Sequence, residues 1–137
     1  MFKLISEKLA IRGLLIIFSL LLIFHFMIIS GIIPFDIVWG GRLESRDQMI
    51  QFEMVSIVLN AIMLLIVAIK AEIIKLKISP KFLKISFWIM FGLFALNTVG
   101  NLFSNNQFEQ IVFTPITLIM SLFCLRLAMS NTKRSIG

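Results

Sequence analysis

The side chains that could do chemistry in this chain are polar groups set among long apolar runs. One segment, 34–60, concentrates them, with Trp39 and six ionisable residues between two apolar stretches: Asp36, Arg42, Glu44, Arg46, Asp47 and Glu53. Carboxylates and histidine are suited to proton transfer near neutral pH. Ionisable groups inside membrane helices normally face the bundle interior or a water-filled cavity. The segment therefore predicts a polar site at membrane depth.

Helical spacing places several of these groups together. Glu53 and Asn60 share one face of the second predicted helix, and Asn97 and Asn101 share a face of the third. At 1.5 Å per residue, His25, Asn60 and Asn97 fall in one layer about 10–15 Å below the outer surface. We hypothesise an outward-opening pocket lidded by residues 36–42. Its candidate ligand-binding residues are His25, Asp36, Trp39, Arg42, Glu53, Asn60, Asn97 and Asn101.

A plainer interpretation stands beside this one. Asparagine and histidine in membrane helices often only bond to neighbouring helices, at about 0.6 kcal/mol each on average. Glu53 could pair with Arg42 or Arg46, and Asp36 with Arg42, simply to anchor the connection.

The elements that must hold these groups are helices. The chain is 59% hydrophobic with mean hydropathy +1.02, and its charges cluster between apolar runs, as in multi-span membrane proteins. We predict an all-α membrane protein, a single integral domain over 1–137 forming an antiparallel four-helix bundle. The predicted spans are 9–33, 46–76, 80–104 and 107–130.

Local signals set these boundaries. Pro34 ends the first span. Ser45 with Gln48 has capping-box spacing, and Ser79-Pro80 is a helix start with proline in the first turn. Asn106 with Glu109 is a weaker cap for the fourth span, which Pro115 should bend near its first turns.

Orientation follows from the basic residues. Eleven of the thirteen Lys and Arg lie in the amino end, the second connection and the carboxyl end. The positive-inside rule then places both termini in the cytoplasm and the 34–48 connection outside a plasma or bacterial inner membrane.

Several function classes are disfavoured. The basic residues flank spans instead of forming a nucleic-acid-binding face. One cysteine, Cys124, and one histidine, His25, give neither a CxxC centre nor a paired-histidine metal site. No phosphate loop or nucleophile motif occurs, so no cofactor or metal is expected and a non-enzymatic role is favoured.

Three functions are left open. The leading one is a binding or accessory protein, with the bilayer, a lipid or small molecule, a second copy or another membrane protein as partners. The first alternative is a small proton-coupled transporter acting as an oligomer. The second is a membrane enzyme using His25 with Glu53 or Asp36 as acid and base.

The orientation is testable by cysteine labelling. A cysteine replacing Ser45 should react with a membrane-impermeant maleimide added outside intact cells, and one replacing Ser79 should react only after lysis. The native Cys124 lies within an apolar run and serves as the unlabelled background. The opposite labelling pattern would overturn the orientation.

Overall fold

The computed structural model describes residues 4–130, and within them the protein is entirely helical. Four α-helices follow one another as α1 (Glu7–Ile29), α2 (Arg46–Lys70), α3 (Pro80–Leu102) and α4 (Thr114–Ala128). Two short 3-10 turns, Phe35–Ile37 and Trp39–Gly41, lie between α1 and α2, and a π-helical turn, Glu109–Phe113, leads into α4. The predicted domain 1–137 extends beyond the described residues at both ends.

Serine caps begin the first three helices. The hydroxyl oxygens of Ser6, Ser45 and Ser79 accept hydrogen bonds from the backbone N–H three residues ahead, at 3.0–3.2 Å. Such caps satisfy backbone donors that have no partner inside the helix. The predicted starts of α2 and α3 are confirmed, whereas α1 begins two residues earlier than predicted.

The first three helices end sooner than predicted. α1 stops at Ile29, because Ser30 caps it and Gly31 adopts a φ of 86°. α2 ends at Lys70 instead of 76, since Glu72 takes a left-handed φ of 62° just beyond the cap. α3 ends at Leu102 instead of 104, and the side chain of Ser104 turns to bond Glu109.

The fourth predicted span, 107–130, contains a change of helix type. Pro115 has no N–H to donate to the carbonyl of Ile111 and its ring would crowd that carbonyl in a regular α-helix. The π-helical turn Glu109–Phe113 lies directly before it, which is where a wider turn relieves this conflict. The start of this span therefore contains a turn with an extra residue, while the bend predicted at Pro115 stays a prediction.

Each of the four helical segments is long and apolar enough to cross a membrane: Glu7–Ile29, Arg46–Lys70, Pro80–Leu102 and Glu109–Ala128, with 20 to 25 residues each. Many large apolar side chains on their outer faces are exposed, as expected where lipid instead of water surrounds the helices. The prediction of an all-helical chain with four membrane-length helices is confirmed.

The bundle is packed unevenly. α3 packs closely on α4, α1 packs on α2 and on α4, and α2 touches α3 only sparsely. An apolar core fills the half made by the start of α1 and α3 and the end of α2 and α4: Ala10, Leu14, Phe18, Val67, Phe87, Met90, Phe94, Met120, Cys124, Leu127 and Ala128. A Lys70–Glu7 ion pair of 3.1 Å borders this half.

The contact between α1 and α4 yields a stability prediction. A Cβ added at Gly13 would overlap the ring of Phe123, whereas one added at Gly92 meets no atom within 4 Å. Overpacking typically costs about 1–3 kcal/mol, and alanine gains at most about 1 kcal/mol in helix propensity over glycine. We expect Gly13→Ala to lower the thermal stability in detergent.

Two variants control this experiment. Gly92→Ala should leave the stability unchanged or raise it slightly, because its Cβ enters open space. Phe123→Leu combined with Gly13→Ala should recover part of the loss. A Gly13→Ala protein as stable as the parent would show that the helices do not approach closely here.

Candidate ligand-binding site

The connection between α1 and α2 folds into a tight turn over one end of the bundle. Three consecutive residues, Trp39, Gly40 and Gly41, have positive φ values of 56°, 67° and 70°. Glycine adopts this conformation without a steric penalty, but tryptophan does so only at a cost of about 1–2 kcal/mol. Side-chain contacts must therefore hold Trp39 in place.

A buried carboxylate supplies the main contact. Glu53 on α2 is completely buried, and its Oε1 accepts a 3.1 Å hydrogen bond from the indole N–H of Trp39. Its Oε2 lies 2.6 Å from Nδ1 of His25 on α1. The indole ring also packs on Phe52, with ring centroids 5.0 Å apart. Glu53 thus joins α1, α2 and the connection in one hydrogen-bonded group.

A second buried carboxylate holds the other side of the turn. Oε2 of Glu109 accepts hydrogen bonds from the Gly40 backbone N–H at 2.8 Å and from the Ser104 hydroxyl at 2.5 Å. The Asn106 amide donates to the Asp36 carbonyl oxygen at 3.1 Å. The connection is thereby attached both to α2 and to the segment between α3 and α4.

Beneath this turn lies a cavity of about 490 Å³. It is bordered by the later parts of α1 and α3 and the earlier parts of α2 and α4, and residues 38–42 form its roof. Apolar side chains make up much of its wall: Leu21, Phe24, Val38, Leu59, Met63, Leu93, Phe94, Leu96 and Phe113. Its polar lining is His25, Trp39, Arg42, Ser56, Asn60, Asn97, Asn101, Ser104, Glu109 and Thr117.

Several lining groups keep unused hydrogen-bonding capacity. Asn60 donates to the Ser56 carbonyl and Asn101 donates to the Thr117 hydroxyl, and among the described residues neither side-chain oxygen has a donor. Asn97 makes no side-chain hydrogen bond within residues 4–130. Nε2 of His25 and Oε1 of Glu109 are likewise without a hydrogen-bond partner in that range. The cavity therefore presents both donors and acceptors to an occupant.

Arg42 supplies a positive charge at the roof. Its side chain is exposed and folds along Gly40, with Nε 3.3 Å from the Cβ position of that glycine. No carboxylate of the described chain lies within ion-pair distance of it. The pairings considered from sequence, Arg42 with Asp36 or Glu53 and Arg46 with Glu53, are wrong. His25 is the ionisable partner of Glu53.

The structure brings six of the eight predicted site residues to the cavity wall: His25, Trp39, Arg42, Asn60, Asn97 and Asn101. Glu53 lies behind His25 and Trp39 and does not itself line the cavity. Asp36 is exposed outside it and contributes only its backbone carbonyl.

Glu109 and Ser104 are site residues that the sequence analysis did not identify. Glu109 has the spacing of a capping partner for Asn106, but its carboxylate bonds Gly40, which is 69 positions away. The sequence offers one indication of this contact with the connection. Glu109 is a single acidic residue at a predicted helix start, at the same end of the bundle as the connection that carries the ionisable residues.

Within residues 4–130, no three His, Cys, Asp or Glu side chains converge as ligands for a metal ion. No known protein family, characterised protein or solved structure matches this chain. The function must therefore be argued from the chemistry of the cavity.

The Trp39–Glu53 bond can be tested by conservative substitution. Trp39→Phe keeps the aromatic contact with Phe52 but removes the indole donor from a buried carboxylate, a loss of about 1.5–3 kcal/mol. We expect faster amide hydrogen exchange in residues 38–42 and a lower unfolding temperature. Trp88→Phe is the matched control, since Trp88 has only a ring contact with Phe91. Equal effects of the two substitutions would contradict the role given to the indole N–H.

Proposed function

We propose that this protein binds an amphiphilic small molecule or lipid in the cavity beneath the 38–42 turn. The observation that carries the proposal is Asn97, an exposed residue five positions before the end of α3 that lines the cavity and has no hydrogen-bond partner among the described residues. If α3 spans a membrane as proposed, an amide there that meets hydrocarbon without a partner would cost several kcal/mol, on the order of 2–7. An occupant that bonds to Asn97 would remove that cost.

The size and lining of the cavity support this role. Ligand pockets usually measure about 300–1,000 Å³ and combine apolar walls with a few fixed polar groups. The present cavity, about 490 Å³, has that composition. One end of an amphiphile would contact the leucine and phenylalanine side chains, and its polar group would bond the three asparagines and His25.

The orientation of the site is part of the proposal. In an antiparallel bundle with both termini in the cytoplasm, the 34–48 connection and the cavity beneath it would lie in the outer half of the plasma membrane. The concentration of basic residues at the other end of the helices supports this arrangement.

Transport is less well supported than binding. A transporter needs a route from the cavity to the opposite membrane surface, but the other half of the bundle is filled by the apolar core that includes Phe18, Phe87 and Met120. A binding site closed at its inner end agrees better with this packing.

Catalysis is the second candidate, favoured by the geometry of His25. Its Nδ1 is fixed by Glu53 at 2.6 Å, while the ring lines the cavity and Nε2 has no partner among the described residues. A carboxylate that orients a histidine in this way is a common arrangement for a general base. Asp36, outside the cavity, has no place in this version of the site.

Native mass spectrometry of protein extracted gently from its own membrane tests the proposal. We expect a co-purifying small molecule or lipid on the parent protein and a reduction of about tenfold in its occupancy for Gly100→Leu. Gly100 lines the cavity and its Cβ position has no atom within 4 Å, so leucine would fill the ligand space without a clash at Cβ.

Gly92→Leu is the matched control. It makes the same substitution on the same helix in open space, away from the cavity wall, and should retain the ligand. Equal retention by both variants, or no bound molecule on any of them, would refute the binding proposal. Conversion of the bound molecule by the parent protein but not by His25→Ala would favour the enzyme.

A further inference from the structure

The side of the cavity between α2 and α3 is its least tightly packed side. These are the helices that touch only sparsely, while the contacts of α1 with α2 and α4, and of α3 with α4, close the other sides. Three leucines that line the cavity also remain exposed: Leu59 by 46%, Leu93 by 41% and Leu96 by 71%. They border a gap whose outer face is the lipid-facing surface of the bundle.

The roof of the same cavity is formed by residues of the connection: Val38, Trp39, Gly40 and Arg42. Trp39 bonds Glu53 and Gly40 bonds Glu109, so access from the water side would require breaking hydrogen bonds to two buried carboxylates. Access through the gap between α2 and α3 requires only the displacement of lipid chains from exposed leucines. A molecule already dissolved in the bilayer thus has the easier route.

We propose that the occupant is a glycerophospholipid that enters sideways between α2 and α3 and places its phosphate against Arg42. This inference rests on the proposed binding function and specifies its ligand. The cavity is too small for a whole phospholipid, so it would hold the head group and the adjoining part of the chains. The remainder of the chains would stay in the bilayer through the gap.

The positive charge of Arg42 determines where the phosphate of the lipid would bind. Arg42 lines the cavity, is exposed, and has no carboxylate within ion-pair distance in the described chain. A guanidinium presents paired N–H donors that match phosphate oxygens. Because membrane phosphates lie near the ends of the spans, the roof is the depth at which a lipid phosphate would meet Arg42.

The rest of the head group must carry donors. Oε1 of Glu109 and the side-chain oxygens of Asn60 and Asn101 are acceptors without a donor among the described residues. Glycerol hydroxyls or a primary ammonium would satisfy them, whereas a trimethylated choline has no N–H or O–H to donate. The site should therefore prefer phosphatidylglycerol to phosphatidylcholine with the same chains.

Fluorescence quenching can measure this preference. Trp39 lies in the cavity wall, and replacing Trp88 with phenylalanine leaves it as the only tryptophan. We would reconstitute this protein into phosphatidylcholine vesicles containing a tenth, by mole, of brominated-chain phosphatidylglycerol or brominated-chain phosphatidylcholine. The brominated phosphatidylglycerol should quench Trp39 several-fold more strongly.

Variants separate the cavity from ordinary lipid contact. Gly100→Leu should abolish the preference and Gly92→Leu should keep it, since only the first fills the cavity. Arg42→Gln should lower the binding of lipid in the cavity by about tenfold, through loss of the charge-assisted bond to the phosphate that both head groups carry, and the excess quenching by phosphatidylglycerol should fall with it. Arg42→Gln also tests the site independently should Gly100→Leu fail to fold.

The possible results separate the lipid proposal from the more general proposal that the cavity binds a ligand. Equal quenching by both lipids overturns the head-group preference. Quenching that is unchanged in both Gly100→Leu and Arg42→Gln overturns lipid binding in the cavity. If native mass spectrometry then shows a water-soluble compound that Gly100→Leu loses, the binding function stands without the lipid. If it shows no bound molecule, both proposals fail.

Discussion

The position of the roof depends on one buried carboxylate, that of Glu53. A carboxylate removed from water inside a bundle is costly, at several kcal/mol, unless hydrogen bonds offset the loss. His25 and Trp39 provide that compensation, from α1 and from the connection. The left-handed backbone at Trp39 is then held by the same bond that satisfies Glu53. The carboxylate, the strained turn and the cavity roof are parts of one arrangement.

The two halves of the bundle have different physical characters. One is filled by interlocking apolar side chains, and close approach of Gly13 to Phe123 is part of that packing. The other keeps a cavity because α2 and α3 remain apart and because polar groups occupy the helix faces that border it. The packed half fixes the spacing of the helices, so the walls of the open half need no contacts across the cavity. Close packing at one end thus leaves room for a cavity at the other.

The helices were predictable because their signals are local. Long apolar runs determine the spans, and the hydroxyls of Ser45 and Ser79 lie directly beside the backbone donors that they cap. The helix ends were harder to predict. α2 stops where Glu72 adopts a left-handed φ, and the sequence has no glycine or asparagine at that point to indicate such a conformation. Hydrogen-bond partners that are distant in the sequence were the hardest feature to predict. The predicted depth of His25 placed it in the same layer as the other polar residues. The partner predicted for Glu53, however, was Arg42 or Arg46, because these residues are close to it in the sequence.

The hydrogen bonds of the roof bear on how a ligand could be exchanged. Lifting the turn would break the Trp39–Glu53 and Gly40–Glu109 bonds together, each worth about 1.5–3 kcal/mol because the acceptor is charged. It would also leave Glu53 with only His25 as a partner. Opening toward water would therefore cost two hydrogen bonds at once. A gap lined by leucines needs no polar bond to break, so under the proposed lipid binding, exchange with the bilayer would leave the hydrogen bonds of both carboxylates intact.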